Sequence, residues 1–174
     1  ELIRLVKEKG AYTILDADGE AFRQSIDAGP DYIKPNDVEL AEYFNLKADN
    51  AEIGESGDLK SDSNVLQLVC AAKRFKEKGV KNTIVSMGKK GALFLFEDYQ
   101  AKCPSLSVTA HSTVGAGDAM VAALSYAWDQ KLSSEETIKL CMAVSAGAVT
   151  TIGTKPPSKE VVDTLLTQVM IQKI

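Results

Sequence analysis

The chain has a single histidine, His111, so it cannot build a histidine metal centre or keep a second imidazole in reserve for a nucleophile relay. His111 precedes a glycine turn and reads as a loop or strand-end residue with no chemical duty. Cysteine is scarce too. Cys70, Cys103 and Cys141 are odd in number and form no CxxC pair, which points to reduced structural thiols in a reducing compartment. Basic tracts are missing, and no aromatic residues interleave with basic ones. With a net charge of -4, nothing calls for nucleic acid or an anionic membrane as partner. No apolar run is long enough to span a bilayer, there is no repeat, and the opening "ELIRLVKEKG" has no signal-peptide pattern.

What is present is an ordinary globular composition, 45% hydrophobic and 25% charged over 174 residues. That length suggests one domain with a substantial core. The opening segment reads as a helix stopped by Lys9-Gly10. A short β-rich run follows over 11–16, a helix over 19–29, a second short strand over 31–36 and a helix over 37–45. Residues 45–62 are polar and read as a loop. Apolar Val65, Leu68, Val69, Ala72 and Phe75 then recur at helical spacing over 63–78. A strand over 80–88, a hairpin over 91–104 and a strand over 106–113 come next. Apolar helices are expected over 116–128 and about 135–151, and a last helix over 156–169. Such alternation argues for α/β layers with a largely parallel sheet and a late antiparallel edge. Ligands of such sheets sit in the loops at the carboxyl ends of strands. Four loops qualify: 16–19, 34–39, 86–91 and the stretch after His111.

That last stretch, "STVGAGDAMVAA", carries the sharpest signal. A helix start leaves backbone N–H groups unpartnered, and its dipole favours an anion. Gly115 and Gly117 remove Cβ atoms that would bar a close approach, so Gly115, Ala116 and Gly117 form an anion cradle. Asp118 falls in the first turn beside it. A carboxylate there is costly unless it works, and a general base would suit it. The plain alternative is an acid that stabilises the helix dipole, with glycines kept for packing. Neither a P-loop nor a GxGxxG fingerprint is present, since Met120 stands where the third glycine would be. In "KPNDVE", Asn36 and Glu39 share one face of a helix start and could hold a hydrated Mg²⁺ through its waters. The alternative is a capping box. Ser86, Gly88 and Gly91 form a strand-to-turn segment that could wrap nucleotide phosphates or ribose. The alternative is a plain hairpin turn.

In this order, "KPNDVE", "VSMGKKGA" and "STVGAGDAMVAA" resemble the successive signatures of the PfkB carbohydrate kinases, within the ribokinase-like superfamily. The third, together with "LDADGEAF" and "GPDYIKPN", is most similar to the sugar-phosphate branch that includes 1-phosphofructokinase and tagatose-6-phosphate kinase. The resemblance implies a ribokinase-like layered fold, ATP and Mg²⁺ as cofactors, and a sugar phosphate as substrate. It implies that Asp118 is the catalytic base, and that the amides of Gly115, Ala116, Gly117 and Asp118 bind the transferring phosphate. It places Asn36 and Glu39 at the magnesium, Lys34 at the nucleotide, Ser86, Gly88 and Gly91 at ATP, and Gly147 on the adenine-lining helix. Members of the family are nearly twice as long. The expectation is therefore that residues 1–174 correspond to the C-terminal, nucleotide-binding and catalytic half. It would be cytoplasmic and completed by an N-terminal half or by homo-oligomerisation. The rival expectation is a module that binds nucleotide without transferring phosphate. A nicotinamide-binding Rossmann domain is disfavoured, because no fingerprint glycines follow the first strand.

Overall fold

A computed structural model describes residues 1–46 and 59–174. The elements run α1 (Leu2–Glu8), β1 (Ile14–Leu15), α2 (Gly19–Ile26), β2 (Tyr32–Ile33), α3 (Asp37–Tyr43), α4 (Leu59–Lys73), β3 (Asn82–Ser86), β4 (Ala92–Leu95), β5 (Gln100–Cys103), α5 (Ala116–Asp129), α6 (Ser134–Ala148), α7 (Lys159–Leu166) and β6 (Gln172–Lys173). They fall into two compact units, Glu1–Val85 and Ser86–Ile174.

In the first unit β1, β2 and β3 run parallel. Ile14 is opposite Tyr32 and Leu15 opposite Ile33; Tyr32 and Ile33 in turn face Asn82 and Thr83. β3 is buried over most of its length, as a strand covered on both faces should be. α2 buries Phe22 and Ile26, one turn apart. Phe22, Tyr43, Phe44 and Phe75 then cluster with ring centroids 4.9–5.8 Å apart, tilted or edge to face. Gly29 is required where the chain turns out of α2. Its φ is 61°, and a Cβ would meet the Lys78 carbonyl at 3.2 Å.

At the amino-terminal ends of the same strands lies a buried acid, Asp31. It accepts from the Thr13 amide at 3.1 Å and the Thr13 hydroxyl at 2.9 Å, with Lys81 3.3 Å and Lys7 4.0 Å away. Burial pushes this carboxyl up. The Thr13 hydrogen bonds and the two ammonium groups outweigh that and hold it below its ordinary value.

The second unit is built differently. β4 is buried throughout and pairs antiparallel with β5, which pairs antiparallel with β6. The apolar stripe of α5 (Met120, Ala123, Leu124 and Ala127) packs along α6, which also packs on α7. Cys103 and Cys141 are buried free thiols, and burial pushes both up to about 12. Neither is a nucleophile at neutral pH. Cys70 is free and exposed. Among the described residues, no helix is long and apolar enough to cross a membrane.

Three details differ from the sequence expectations. No strand forms over 106–113. His111 and Ser112 both donate their amides to one carbonyl, Val149 O, at 2.7 and 3.3 Å, so the segment is tied to the end of α6 rather than to a ladder. α7 begins at Lys159 instead of 156. Ser158 is the residue whose side chain accepts from the Val161 amide, and the two prolines lie ahead of it. β6 was not anticipated, being two exposed residues long. The expected loop over 45–62 lies for the most part outside the described residues, and α4 already begins at Leu59.

Candidate active site

In the first unit, the parallel register carries the chain to two loops at the carboxyl ends of β1 and β2. Asp16 follows β1 and Lys34 follows β2, and the Lys34 amide donates to Leu15 O at 3.2 Å. The Lys34 ammonium lies 3.1 Å from an Asp16 carboxylate oxygen. Pro35 and Asn36 then lead into α3. Asn36 Oδ1 accepts from the Glu39 amide at 2.8 Å, and Glu39 Oε2 accepts from the Asn36 amide at 2.9 Å. The capping box is thus formed. It uses one oxygen of each side chain and leaves the Asn36 amide nitrogen and Glu39 Oε1 without a partner among the described residues.

In the second unit, Ser86 ends β3 and a tight turn follows. The Met87 amide donates to Gly91 O at 2.8 Å. Gly88 has φ 54°, with open space where a Cβ would stand. Gly91 is glycine on two counts: its φ is 95°, and a Cβ there would sit 1.9 Å from Cys103 O. Ser105 Oγ donates to Lys89 O at 2.6 Å and pins the outer side of the turn.

α5 starts with Gly115 in the left-handed region at φ 87°, and no side chain caps it. A Cβ at 115 would touch the Thr154 methyl at 3.4 Å. Ala116 N reaches Thr113 O only at 3.4 Å. Among the described residues, the amides of Gly115, Gly117 and Asp118 have no acceptor. The Asp118 side chain is exposed and has no hydrogen-bond or ion-pair partner among the described residues. Ser145 Oγ donates to Ala116 O at 3.0 Å and fixes this mouth to α6. Gly147 lies in α6 with Pro157 Cβ 2.8 Å from where its own Cβ would be. Close packing therefore requires glycine at 147.

The structure thus brings Lys34, Asn36 and Glu39 onto one side of the first unit, around two successive strand-to-helix loops. In the second unit, Ser145 ties the Gly115–Asp118 mouth to α6, and Thr154 lies against Gly115. Two contacts were not expected from the sequence. The loop that Asp16 opens was a candidate, but its pairing with Lys34 could have been found only through the β1–β2 register. Ser145 lies in the small-residue run "AVSAGAV", which reads as packing. Among the described residues, no group of three acidic, histidine or cysteine side chains converges on a metal position. A divalent cation at Asn36 and Glu39 would therefore be held through its waters, which fits one free carboxylate oxygen and one amide.

Comparison with known proteins bears on the family and the fold. The model of the pfkB family carbohydrate kinases matches residues 1–161. The chain is 32% identical to the 1-phosphofructokinase of Haemophilus influenzae, covering 96% of this chain and 49% of that protein. It is 36% identical to that of Rhodobacter capsulatus, covering 92% and 46%. It spans about half the length of the curated relatives it matches. Among solved structures, phosphofructokinase-2 from Escherichia coli superposes with a TM-score of 0.80 at 26% identity, over 96% of this chain and 50% of that one. Ribokinase from Thermotoga maritima superposes with a TM-score of 0.71 at 26% identity, over 95% and 52%. The fold is α/β and ribokinase-like, and the chain belongs to the pfkB family of carbohydrate kinases.

Proposed function

We propose that this chain carries the nucleotide-binding and phosphoryl-transfer residues of an ATP-dependent sugar-phosphate kinase, with fructose 1-phosphate as the acceptor. The observation that carries the reading is the mouth of α5. The amides of Gly115, Gly117 and Asp118 have no acceptor among the described residues, Gly115 is held in a conformation that favours glycine, and the adjacent Asp118 is exposed with no partner among the described residues. Unpaired amides at a helix start stabilise negative charge on a transferring phosphoryl group. A carboxylate beside them can take a proton from a hydroxyl.

In the reaction, the acceptor oxygen bonds to the γ-phosphorus as the bond from that phosphorus to the bridging oxygen of ADP breaks. The hydroxyl proton passes to Asp118 and ADP leaves. Lys34 offsets charge on the polyphosphate. Asn36 and Glu39 would hold Mg²⁺ through its waters, and the cation would screen the phosphates. Ser86, Gly88 and Gly91 take the nucleotide at the turn after β3, and Gly147 sets the packing of the helix on its adenine side. Fructose 1-phosphate is preferred over fructose 6-phosphate and tagatose 6-phosphate because relatives at 30–36% identity are named 1-phosphofructokinase.

A second reading rests on coverage of about half of those relatives. In it the chain binds nucleotide but lacks the acceptor site, which a further segment or another copy supplies. Exposed Leu2 and Leu5 on α1 suit such an apolar contact. Free thiols and ATP as donor accord with a cytoplasmic setting. Calorimetry with ATP and Mg²⁺, run beside a kinase assay on the three sugar phosphates, separates the readings. Binding with transfer, fastest to fructose 1-phosphate, supports the first. Binding without transfer to any acceptor supports the second. No binding overturns both.

A further inference from the structure

The first unit buries charge at both ends of its short strands, and the two ends are satisfied very differently. Asp31, at the amino-terminal end, has two Thr13 donors and two lysines around it. Lys34, at the carboxyl end, is only 8% exposed, yet its ammonium has one partner among the described residues, Asp16 Oδ1 at 3.1 Å. An ammonium has three N–H groups, so two remain without a protein acceptor among the described residues. Burying a lysine on one single-contact partner is costly. A residue serving only as a strut would be saturated as Asp31 is.

The backbone explains how the pair forms. Leu15 and Ile33 are register partners, so the residues after them stand side by side as the parallel strands end. Buried Pro35 follows and restricts Lys34 to extended backbone. Asp16 is about one third exposed, so the pair is open on the acid's side.

We propose that Asp16 is a positioning residue: it holds the Lys34 ammonium at the strand ends with two N–H groups left for the phosphate oxygens of ATP. This rests on the reading of Lys34 as a nucleotide ligand. Without the carboxylate, the Lys34 ammonium has no counter-charge to hold it at the strand ends and swings towards solvent. That takes a donor from the phosphates, and binding must then restore it. Local repulsion between Asp16 and the phosphate acts the other way. It is weaker, because the carboxylate is already neutralised at 3.1 Å and partly in water.

The test has two arms on the same variants. In the first, an amine-acylating reagent is applied and modification of Lys34 is followed by mass spectrometry, with no nucleotide present. Asp16→Asn is expected to speed Lys34 modification severalfold, and Asp16→Glu to keep it slow. An unchanged rate in Asp16→Asn overturns the inference whatever ATP does. In the second arm, ATP is titrated with divalent cations chelated, so that any loss reports the ammonium. Lys34→Met and Asp16→Asn are each expected to weaken binding about tenfold, and the double variant no more than either alone. Adenosine, lacking phosphates, should bind all four proteins alike. Additive losses, ATP binding to Asp16→Asn as tight as to the wild type or tighter, or a loss seen only with Mg²⁺ present would overturn the inference. Failure of the wild type to bind ATP would overturn the kinase reading, while the first arm still decides whether Asp16 holds Lys34. Thermal unfolding of each variant checks that it is folded.

Discussion

The two units handle charge in opposite ways. Thr13, Asp31, Lys34, Asn82 and Thr83 are the buried polar groups of the first unit, whereas Thr137 is the one recorded for the second among the described residues. The second unit has an apolar interior and leaves Asp118 in solvent, with no partner among the described residues. The helix starts differ in the same sense. α3 closes its mouth with its own Asn36 and Glu39, while no side chain makes a capping hydrogen bond at the start of α5. Groups that are already paired mainly hold structure. Groups that a fold leaves unpaired at some cost are where a ligand is to be sought.

That contrast can be broken most sharply at its two acids. Asp118→Asn should lower phosphoryl transfer by about 10²–10⁴-fold in the kinase assay, with ATP affinity little changed. It should move the urea midpoint hardly at all, because the side chain supports nothing. Asp31→Asn should do the reverse. It leaves two lysines short of a counter-charge and should cost on the order of 1–3 kcal/mol in urea unfolding.

The pH dependence follows from the same acid. Its folded carboxyl titrates below the ordinary 3.8, so its contribution is fully present above that value and is lost as pH falls through the lower, folded value. The wild-type urea midpoint should therefore drop on acidification below about pH 4, and Asp31→Asn should flatten that limb.

Smaller effects sharpen the contrast in packing. Gly147→Ala places a methyl 2.8 Å from Pro157 Cβ and should cost about 1–3 kcal/mol, read as a lowered thermal midpoint. Asn36→Ala should cost about 1 kcal/mol through the lost cap. Asn36→Ser, which keeps a capping oxygen but drops the amide nitrogen, should change stability by a few tenths of a kcal/mol. If Asn36→Ser nevertheless weakens Mg-ATP binding severalfold, the residue acts on the ligand as well as on the helix.

Much of this was legible in the residues themselves. The helices over 19–29, 37–45 and 116–128 were found because apolar residues at helical spacing also face the interior. Asp118 stood out because an acid after two glycines at a helix start has few structural uses. The segment 106–113 misled because alternation marks half-burial, and half-burial does not require a ladder. Its amides instead found Val149 at the far end of α6. The Asp16–Lys34 pair and the Ser145–Ala116 bond were not legible, since each joins residues whose proximity depends on register or helix packing. At Asn36 the sequence allowed two readings. The structure shows the cap and leaves room for the ligand role.

The central claim is that the open amides of α5 receive the phosphate, and amide-resolved NMR during an ATP titration tests it most directly. The account predicts that the Gly117 and Asp118 amide signals move strongly with nucleotide, while those of Glu135 and Glu136, in the capped first turn of α6, stay in place. Saturable ATP binding that leaves Gly117 and Asp118 unmoved would contradict it.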